Sequence, residues 1–324
     1  MAQKELESKI REIADAHHTI QEAVGTYVVG NGDLVDLIVM GVFTGGHVLV
    51  DGMPGTAKTT ISKIIARLIG YRYNRVQGVI DVQPADILGI RIYDPETRGF
   101  HLQRGPIFAN FMLIDEINRL TPKTQSAFIE AMAERQVTID GVNYPLEDPY
   151  FVIATQNTQE FEGTFPLIEA QRDRFTFSAT LRHLDAEGEV EVLRRERNGN
   201  LRWEEYWQKI NPVLSIDRIR TLSQYVQQVY VDETILQYIR DIVIASRRHN
   251  DVRLGSSSRG SLSLLRGVRA SAALEGRTYV IPDDVKRMTR PVMRHRLILE
   301  REAEVSQVSV DHVIDEILET VEVT

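Results

Sequence analysis

The stretch Gly52-Met53-Pro54-Gly55-Thr56-Ala57-Lys58-Thr59 constrains the fold more than any other part of the sequence. It follows the apolar run His47-Val48-Leu49-Val50 and precedes a segment whose apolar residues recur at helical spacing. A strand, a glycine-rich turn and a helix in this order form a phosphate-binding loop, because backbone N–H groups and the positive end of the helix dipole then face phosphate oxygens. The stretch therefore predicts a P-loop.

Two side chains of this loop carry its chemistry. Lys58 would reach the β- and γ-phosphates, and the Thr59 hydroxyl would bind Mg²⁺. Ala57 departs from the pattern G-x-x-x-x-G-K-[ST], since it replaces the last glycine. Alanine is expected to exclude the backbone angles that glycine alone tolerates. A plain Gly/Pro turn between a strand and a helix therefore remains the alternative interpretation of this stretch.

Composition limits the class of protein. A chain of 324 residues with 43% hydrophobic and 26% charged residues is typical of a soluble protein with two domains. The absence of cysteine excludes disulfides, zinc fingers and thiol catalysis, and the eight histidines show no metal-ligand spacing. A net charge of −8 argues against broad DNA binding, which needs a basic surface. Without a signal sequence or an apolar run of about 20 residues, we expect a cytoplasmic protein with no direct membrane insertion.

The chain changes character near residue 184. Before it, apolar runs predict five strands, at 47–50, 71–76, 110–114, 150–153 and 175–177. Turn signals at 94–99 and at Asp140-Gly141 predict two hairpins. After residue 184, helical stripes dominate. The sequence thus predicts an α/β domain of the P-loop NTPase type over 1–183, with a parallel five-stranded sheet covered by helices on both faces. A smaller all-α domain is expected over 184–324.

Asp115 and Glu116 follow the buried run that ends at Ile114. A carboxylate there can hold Mg²⁺ opposite the P-loop hydroxyl, and a second one can act as a general base on water. Because adjacent strand residues point to opposite faces, the pair could separate the two roles. The alternative is an exposed acidic pair that stabilises the dipole of the next helix.

Three further polar residues are candidates. Asn157 follows the strand at 150–153, so it would share the carboxyl edge of the sheet with the P-loop and could bind the γ-phosphate or the attacking water. A simple turn residue is the alternative. Arg174 and Arg259 could stabilise developing phosphate charge. For both arginines, surface ion pairing is the more common role.

Together these residues resemble the MoxR family of AAA+ ATPases, and the resemblance covers nearly the whole chain. The family commonly has alanine at the position of Ala57, which removes the objection to the P-loop. Among the matching motifs are Leu113-Ile114-Asp115-Glu116-Ile117-Asn118-Arg119, Ala154-Thr155-Gln156-Asn157, Glu162-Gly163-Thr164-Phe165-Pro166-Leu167 and Glu169-Ala170-Gln171-Arg172-Asp173-Arg174-Phe175.

The resemblance implies a role for each site residue. Lys58 and Thr59 would form the Walker A motif. Asp115 and Glu116 would form Walker B, and Asn157 would sense the γ-phosphate. Arg174 looks like a finger acting on a neighbouring subunit, and Arg259 like the second sensor of a lid domain. Residues that would contact the nucleotide are Val29, Gly30, Pro54, Gly55, Thr56, Ala57, Lys58, Thr59 and Thr60.

Some positions depart from the family pattern. Asn31 replaces a usual glutamine, Thr158 and Ile168 replace prolines, and Arg172 replaces an apolar residue. None of these changes removes a catalytic group. The stretch 198–215, with Trp203 and Trp207, fits less sharply and could be a contact surface or part of the lid core. The insert around 90–106 and the hairpin 136–145 resemble elements that face the ring axis or a client.

The family resemblance implies an ATPase with ATP and Mg²⁺ as cofactors, which forms a homo-oligomeric ring and remodels a protein client. A hexamer is expected. Metal insertion into the client and a partner with a von Willebrand factor A domain are among the options. A nucleotide-dependent switch or scaffold with little turnover is the main alternative, and a DNA-directed motor is disfavoured by the acidic charge.

Overall fold

The structure is a computed structural model that describes residues 2–52, 55–157, 162–199 and 210–323. Pro54, Thr158, Trp203 and Trp207 therefore lie outside the described residues. The helices in the described part are α1 (Ala2–Tyr27), α2 (Gly32–Thr44), α3 (Lys58–Leu68), α4 (Pro84–Leu88), α5 (Pro122–Glu134), α6 (Glu169–Arg172), α7 (Ala186–Arg197), α8 (Ile216–Val226), α9 (Glu233–Arg248), α10 (Ser258–Leu274), α11 (Pro282–Met293), α12 (Arg301–Val305) and α13 (Val310–Thr320). The strands are β1 (Val48–Gly52), β2 (Tyr73–Gln77), β3 (Gly89–Asp94), β4 (Gly99–Arg104), β5 (Phe111–Asp115), β6 (Gln136–Ile139), β7 (Val142–Pro145), β8 (Phe151–Gln156), β9 (Phe177–Leu181), β10 (Val252–Leu254) and β11 (Ile298–Leu299).

Five strands form one sheet in the order β2-β5-β8-β1-β9. Every pairing in it is parallel, as the sequence predicted. The parallel direction matters for function, because it brings the carboxyl ends of all five strands to one edge. The ends of β1, β5 and β8 and the segments that follow them carry Lys58 and Thr59, Asp115 and Glu116, and Asn157, which meet at that edge.

Alternate residues of the central strands face two separate cores. On β5, Phe111 and Leu113 pack into the core that contains α1, α2 and α3. Met112 and Ile114 pack into the second core, to which α5 contributes Phe128 and other residues. A strand buried on both faces is continuously apolar, which is why this run was recognisable from the sequence. The prediction of helices on both faces is confirmed.

The fifth strand begins later than predicted. The alternation Phe175-Thr176-Phe177 suggested a strand over 175–177, but β9 runs from Phe177 to Leu181. The amide of Phe175 instead donates to the carbonyl of Arg172, closing a turn after α6. Residue pairing with β1 starts at Phe177. A local hydrogen bond therefore holds the first of these residues away from the sheet.

Two hairpins project from the α/β part, and both were predicted. Strands β3 and β4 pair antiparallel, as do β6 and β7. In the second hairpin Asp140 has φ 50° and Gly141 has φ 76°. Positive φ at both central residues is the mark of a type I′ turn, which Asp-Gly favours strongly.

The described residues of the C-terminal part are mainly helical, and they contain one small antiparallel sheet of β10 with β11, against the all-α prediction. The first of the two cores continues into this part, since Ile13 of α1 and Val268 of α10 belong to it. In the part of the chain that the structure describes, no helix combines the length and the apolar character needed to cross a bilayer.

His47 joins β1 to its surroundings at the amino edge of the sheet. Its Nδ1 accepts a hydrogen bond from the Val152 amide at 3.1 Å. Its Nε2 lies 3.3 Å from the carbonyl oxygen of Met132. Burial lowers the pKa of the His47 imidazole from 6.5 to about 4, because a charged ring here would lose its water. The ring is therefore neutral in the folded protein at pH 7.

Acidification is expected to destabilise the fold through His47. Its folded-state pKa lies below the unfolded value, so its contribution is complete above pH 6.5 and is lost as the pH falls towards 4. Between pH 7 and pH 5 the loss amounts to about 2 kcal/mol of unfolding free energy. Urea unfolding of the wild type and of His47→Gln at both pH values measures it. An equal loss in the two proteins would contradict the assignment.

Candidate functional site

The phosphate-binding loop connects β1 to α3 at the carboxyl edge of the sheet. Gly55 has φ 84°, a left-handed conformation that glycine adopts without cost. Helix α3 then begins at Lys58, so its free N–H groups face the loop. This is the strand, turn and helix arrangement that the sequence predicted, although Met53 and Pro54 lie outside the described residues.

Ala57 adopts a left-handed backbone conformation, although alanine was expected to exclude the angles that glycine tolerates. It precedes α3 with φ 57° and ψ 15°. A left-handed alanine costs roughly 1–2 kcal/mol of backbone energy. Its methyl group packs against the larger core, and this burial offsets part of the cost. Ala57 therefore adopts a left-handed conformation of the kind that glycine favours at such a position.

Lys58 and Thr59 face the interior of the loop. The Lys58 ammonium donates to the carbonyl oxygen of Gly52 at 2.7 Å. Burial lowers the pKa of Lys58, while the nearby carboxylates of Asp115 and Glu116 oppose that shift. The Thr59 hydroxyl donates to Oδ2 of Asp115 at 3.2 Å. The two predicted metal ligands, Thr59 and Asp115, are therefore in direct contact.

Asp115 ends β5 and is held by three donors. Besides Thr59, Thr155 of β8 donates to its Oδ1 at 2.9 Å. Arg75 of β2 donates from Nε to its Oδ2 at 2.8 Å. Hydrogen bonds from two neighbouring strands thus fix a carboxylate that is almost entirely buried.

Glu116 leaves the strand in a left-handed conformation, with φ 56° and ψ 53°. The two carboxylates separate because of this turn, and not because of the strand alternation that the sequence suggested. Such a conformation at a non-glycine residue is uncommon and often marks a functional position. Its Oε2 lies 3.1 Å from Nε of Arg119 and accepts from the Gln77 amide at 3.3 Å.

Thr155 connects the two acidic residues. Its hydroxyl donates to Asp115 and accepts from the backbone N–H of Glu116, at 2.9 Å in each case. Thr155 belongs to the motif 154–157, in which the sequence indicated a role only for Asn157. Arg75 and Gln77 were also not predicted as site residues. Their signal in the sequence was that both are polar and lie near the carboxyl end of a strand that borders the site.

Replacing Thr155 by valine keeps the shape of this buried side chain but removes its hydroxyl. The Glu116 amide and the Asp115 carboxylate would each lose a partner, so we expect a loss of about 1–3 kcal/mol in unfolding free energy. Denaturant unfolding measures the loss. Thr155→Ser keeps the hydroxyl and should retain most of the stability. Equal stability of the valine and serine variants would contradict the bridging role.

Asn157 follows β8 and lines the same cavity as the loop and the carboxylates. Asn118 donates to its backbone carbonyl at 3.1 Å, which fixes the chain at this point. The cavity has a volume of about 370 Å³. Its lining brings together the predicted residues Gly55, Thr56, Ala57, Lys58, Thr59, Thr60, Asp115, Glu116 and Asn157.

Val29 and Gly30 line a second cavity, of about 1170 Å³. It lies between the start of α2, the end of β9 and one face of α11, which contributes Met288 and Pro291. Gly52 packs closely on Leu181, and Gly30 on Leu184. The segment 181–184 therefore runs from the phosphate loop to the second cavity.

Arg174 and Arg259 do not line the phosphate cavity. Arg174 precedes β9, at the amino edge of the sheet, whereas the P-loop follows β1 at the carboxyl edge. The five residues of β9 span about 15 Å, which is longer than an arginine side chain. Arg259 lies in the first turn of α10, whose N-cap Ser257 donates to Asp173 at 3.0 Å. The two arginines therefore belong to neighbouring segments on the far side of the subunit.

Arg296 fixes the segment that carries Arg174. This arginine is buried, and its Nε donates to Asp173 Oδ1 at 2.9 Å. A second nitrogen donates to the carbonyl of Phe175 at 2.6 Å. Residues on both sides of Arg174 are thus held by one guanidinium, which the sequence analysis did not identify.

One cluster resembles a metal site, although the sequence spacing gave no sign of one. It comprises His249, Asp251 and Glu316. The Asp251 amide donates to Nδ1 of His249 at 3.2 Å, so the proton of the neutral ring sits on Nε2. That nitrogen lies 3.1 Å from Glu316. These contacts are those of a histidine that follows α9 and donates a hydrogen bond to a carboxylate on α13.

Comparisons with known proteins agree with this architecture. Residues 47–177 match the model for the ATPase family associated with various cellular activities (AAA), and residues 244–317 match the AAA lid domain. Chaperone MoxR1 of Mycobacterium tuberculosis is 37% identical over 94% of this chain and 82% of its own length. The uncharacterized protein YeaC of Bacillus subtilis is 38% identical over 93% of each chain.

A solved structure shares the whole fold. It is a crystal structure from Cytophaga hutchinsonii, described only as that of a candidate ATPase, with 36% sequence identity and a TM-score of 0.90. The match covers 100% of this chain and 99% of the other. Identity at this level over nearly complete chains, together with the AAA and lid matches, establishes the family. The chain belongs to the MoxR family of AAA+ ATPases.

Proposed function

We propose that this chain binds ATP with Mg²⁺ and hydrolyses the bond between its β- and γ-phosphates within an oligomeric ring. The observation that carries the proposal is the convergence of Lys58, Asp115, Glu116 and Asn157 on one cavity of about 370 Å³. They come from three different loops at the carboxyl edge of a parallel sheet, where α/β proteins bind ligands. Family membership adds nucleotide binding as a general property.

The residues present suit a nucleotide. The N-terminus of α3, the Gly55 turn and the Lys58 ammonium form a cradle of donors for the phosphates. Residues 181–184 run from this cradle to the cavity beside Val29 and Gly30, whose volume of about 1170 Å³ has room for the adenosine. Both parts together would hold one ATP molecule between the sheet and the helices of the C-terminal part.

Mg²⁺ also suits the donors that are present. The Thr59 hydroxyl and Asp115 Oδ2 lie 3.2 Å apart, and both are hard oxygen ligands. When bound, the ion would neutralise charge on the β- and γ-phosphates. Arg75 currently donates to the same Oδ2, so binding of the ion would require this guanidinium to move or share the oxygen.

Glu116 is the proposed general base, and Asn157 the residue that senses the γ-phosphate. Glu116 lines the same cavity as the buried Asp115, and its side chain is partly exposed. A water between Glu116 and the γ-phosphate would lose its proton to this carboxylate as it attacks. The Asn157 amide, at the end of the neighbouring strand, could orient that water or the phosphate.

Arg174 and Arg259 are proposed to act on the nucleotide of a neighbouring subunit. Arg174 stands at the opposite edge of the sheet from its own P-loop, and the Ser257–Asp173 contact keeps the start of α10 beside it. A ring in which one subunit presents this face to the next would bring both arginines to the neighbouring phosphates. The proposed ring is a homo-oligomer, with a hexamer as the expected size.

The proposed output is chaperone-like assembly or maturation of a client protein, in line with the chaperone name of one relative. Motion between residues 1–183 and a lid of residues 184–324 would transmit the ATP state. The proposal includes three further points. The client has a von Willebrand factor A domain, its maturation includes metal insertion, and the protein acts in the cytoplasm.

Steady-state phosphate release and the molar mass in solution test the core of the proposal together. The purified chain should release phosphate from ATP when Mg²⁺ is present and stop when EDTA is added. Light scattering with ATP should give a multiple of the 36.9 kDa subunit mass. A chain that stays monomeric with ATP and releases no phosphate would overturn it.

A further inference from the structure

A third cavity lies at the amino edge of the sheet, far from the proposed nucleotide site. Its volume is about 360 Å³. Phe43, Thr44 and Gly45 line it just before β1 begins, whereas the P-loop follows the end of β1. The opposite wall is one face of α10. Among the described residues, none that is proposed to contact nucleotide lines this cavity.

Three arginines line the cavity, and no Asp or Glu does so among the described residues. Arg266 and Arg269 are three residues apart on α10 and therefore lie on the same side of the helix. Arg135, at the end of α5, completes the group, but it is already paired with Asp148 at 3.3 Å and donates to the carbonyl oxygen of Gly45 at 3.5 Å. The Nε atom of Arg269 is buried without a hydrogen-bond partner in the described part of the chain.

This pattern differs from that of three arginines on and near α11. On and near α11, Arg277, Arg290 and Arg294 each form an ion pair, with Asp284, Asp315 and Asp311 respectively. The chain has more acidic than basic residues, 46 against 38, so carboxylates were available for pairing. Partial burial lowers the pKa of the Arg269 guanidinium because its charge is desolvated there. Arg266 and Arg269 form no ion pair with a carboxylate in the described part of the chain, so these two guanidinium groups are well suited to an external anion.

The rest of the lining describes what kind of anion would fit. Phe43, Val226 and Leu265 provide an apolar surface beside the guanidinium groups. A volume of about 360 Å³ is within the range of small-molecule sites and exceeds the space that a bare phosphate ion needs. Planar guanidinium groups bind phosphate oxygens in pairs, and a dianion neutralises more of the arginine charge than a single carboxylate would.

We propose that this cavity binds a small organic phosphate, with its phosphoryl group at Arg266 and Arg269 and its apolar part against Phe43 and Leu265. The cavity would be a second ligand site, separate from the P-loop. It contacts α2, which leads into β1, and α10, which begins beside Arg174. A ligand there would connect the sheet to the helix that carries Arg259.

Phenyl phosphate is a suitable probe, because it has one phosphoryl group and one aromatic ring. Binding is measured by calorimetry and by the shift in melting temperature. The wild type is titrated first, and every other protein carries Lys58→Ala, which weakens phosphate binding at the P-loop. We expect saturable binding that inorganic phosphate reproduces more weakly and sodium chloride of equal ionic strength does not. Adding Arg266→Gln and Arg269→Gln should weaken binding at least about tenfold, since charge-assisted hydrogen bonds are lost.

Arg248→Gln is the matched control, because Arg248 is an exposed arginine at the end of α9 that does not line the cavity. It should leave the affinity unchanged. If the double variant does not fold, Arg269→Lys keeps the charge but loses the planar fork, and it should still bind more weakly.

Three results would overturn the proposal. The first is unchanged binding in the Arg266→Gln/Arg269→Gln protein. The second is binding to the wild type that disappears with Lys58→Ala alone, which would make the P-loop the source of the signal. The third is no binding of phenyl phosphate together with a changed oligomer mass in the arginine variants, which would assign the arginines to carboxylates of a second copy.

Discussion

Replacing Glu116 by glutamine is expected to leave ATP binding intact and to slow hydrolysis by about 10²–10⁴-fold, the usual contribution of a general base. Glutamine has nearly the same shape, so it can keep the contacts to Gln77 and Arg119. It cannot take a proton from water at neutral pH. The phosphate contacts from Lys58 and the start of α3 do not involve Glu116, and affinity should therefore stay within a few fold.

Two measurements separate binding from chemistry in this variant. Fluorescent-nucleotide titration gives the affinity, and phosphate release gives the turnover. Glu130→Gln is the control, because Glu130 is an exposed glutamate on α5 outside the site, and its turnover should be normal. Near-normal turnover in Glu116→Gln would remove this residue from the mechanism. If the wild type itself binds ATP without measurable turnover, the nucleotide-dependent switch becomes the better account.

Mixing two inactive variants, Lys58→Ala and Arg174→Ala, is expected to restore part of the activity. Alone, Arg174→Ala should lose about 10³–10⁵-fold in turnover if it acts as an arginine finger. Each mixed site that combines an intact P-loop with an intact neighbouring arginine would recover. For random assembly of equal amounts, about one site in four has this combination. Each such site should work at its normal rate if one arginine finger per site gives its usual effect. Recovery near a quarter of the wild-type rate is therefore the expected result.

The control mixes Lys58→Ala with a chain that carries both substitutions, since this mixture contains no intact P-loop. It should stay inactive at every ratio. Mass measurement must show that the two chains co-assemble. Co-assembly with no recovery at any ratio would count against a site shared between subunits, and the position of Arg174 would then need another explanation.

The same preparation of Glu116→Gln offers a route to the client. Held in its ATP state, the protein should keep its partner longer during a pull-down from native extract. Partners enriched with Glu116→Gln but not with Lys58→Ala are bound in a nucleotide-dependent way. A protein with a von Willebrand factor A domain in this set would agree with the proposed chaperone role, and enrichment of nucleic acid instead would favour a DNA-directed motor.

Local chemistry explains why much of the fold was predictable. The run 111–114 is apolar throughout because β5 faces two cores, and that pattern is visible without coordinates. Asp140-Gly141 indicated a type I′ hairpin, since few other dipeptides tolerate positive φ at both positions. The predicted start of the fifth strand was wrong, because the Phe175 amide donates a hydrogen bond to the carbonyl of Arg172 and not to the neighbouring strand.

Some features of the site could likewise be predicted from the sequence, and others could not. Lys58, Thr59, Asp115 and Asn157 could be placed from the sequence, because each lies at or soon after the end of a strand and parallel strands bring those positions together. The left-handed conformations of Ala57 and Glu116 could not, since alanine and glutamate adopt them only where surrounding packing enforces them.

By itself, then, the sequence determined the order of strand, loop and helix and the residue types at each strand end, because periodicity and turn chemistry are local properties of the chain. Only the tertiary structure decided which distant groups meet. Thr155 connects the two carboxylates, Arg75 occupies the oxygen that Thr59 also contacts, and Arg174 stands across the sheet from its own P-loop. The gathering of Arg266 and Arg269 around a cavity without a described carboxylate is likewise a property of packing, since nothing in their spacing indicates what lies opposite them.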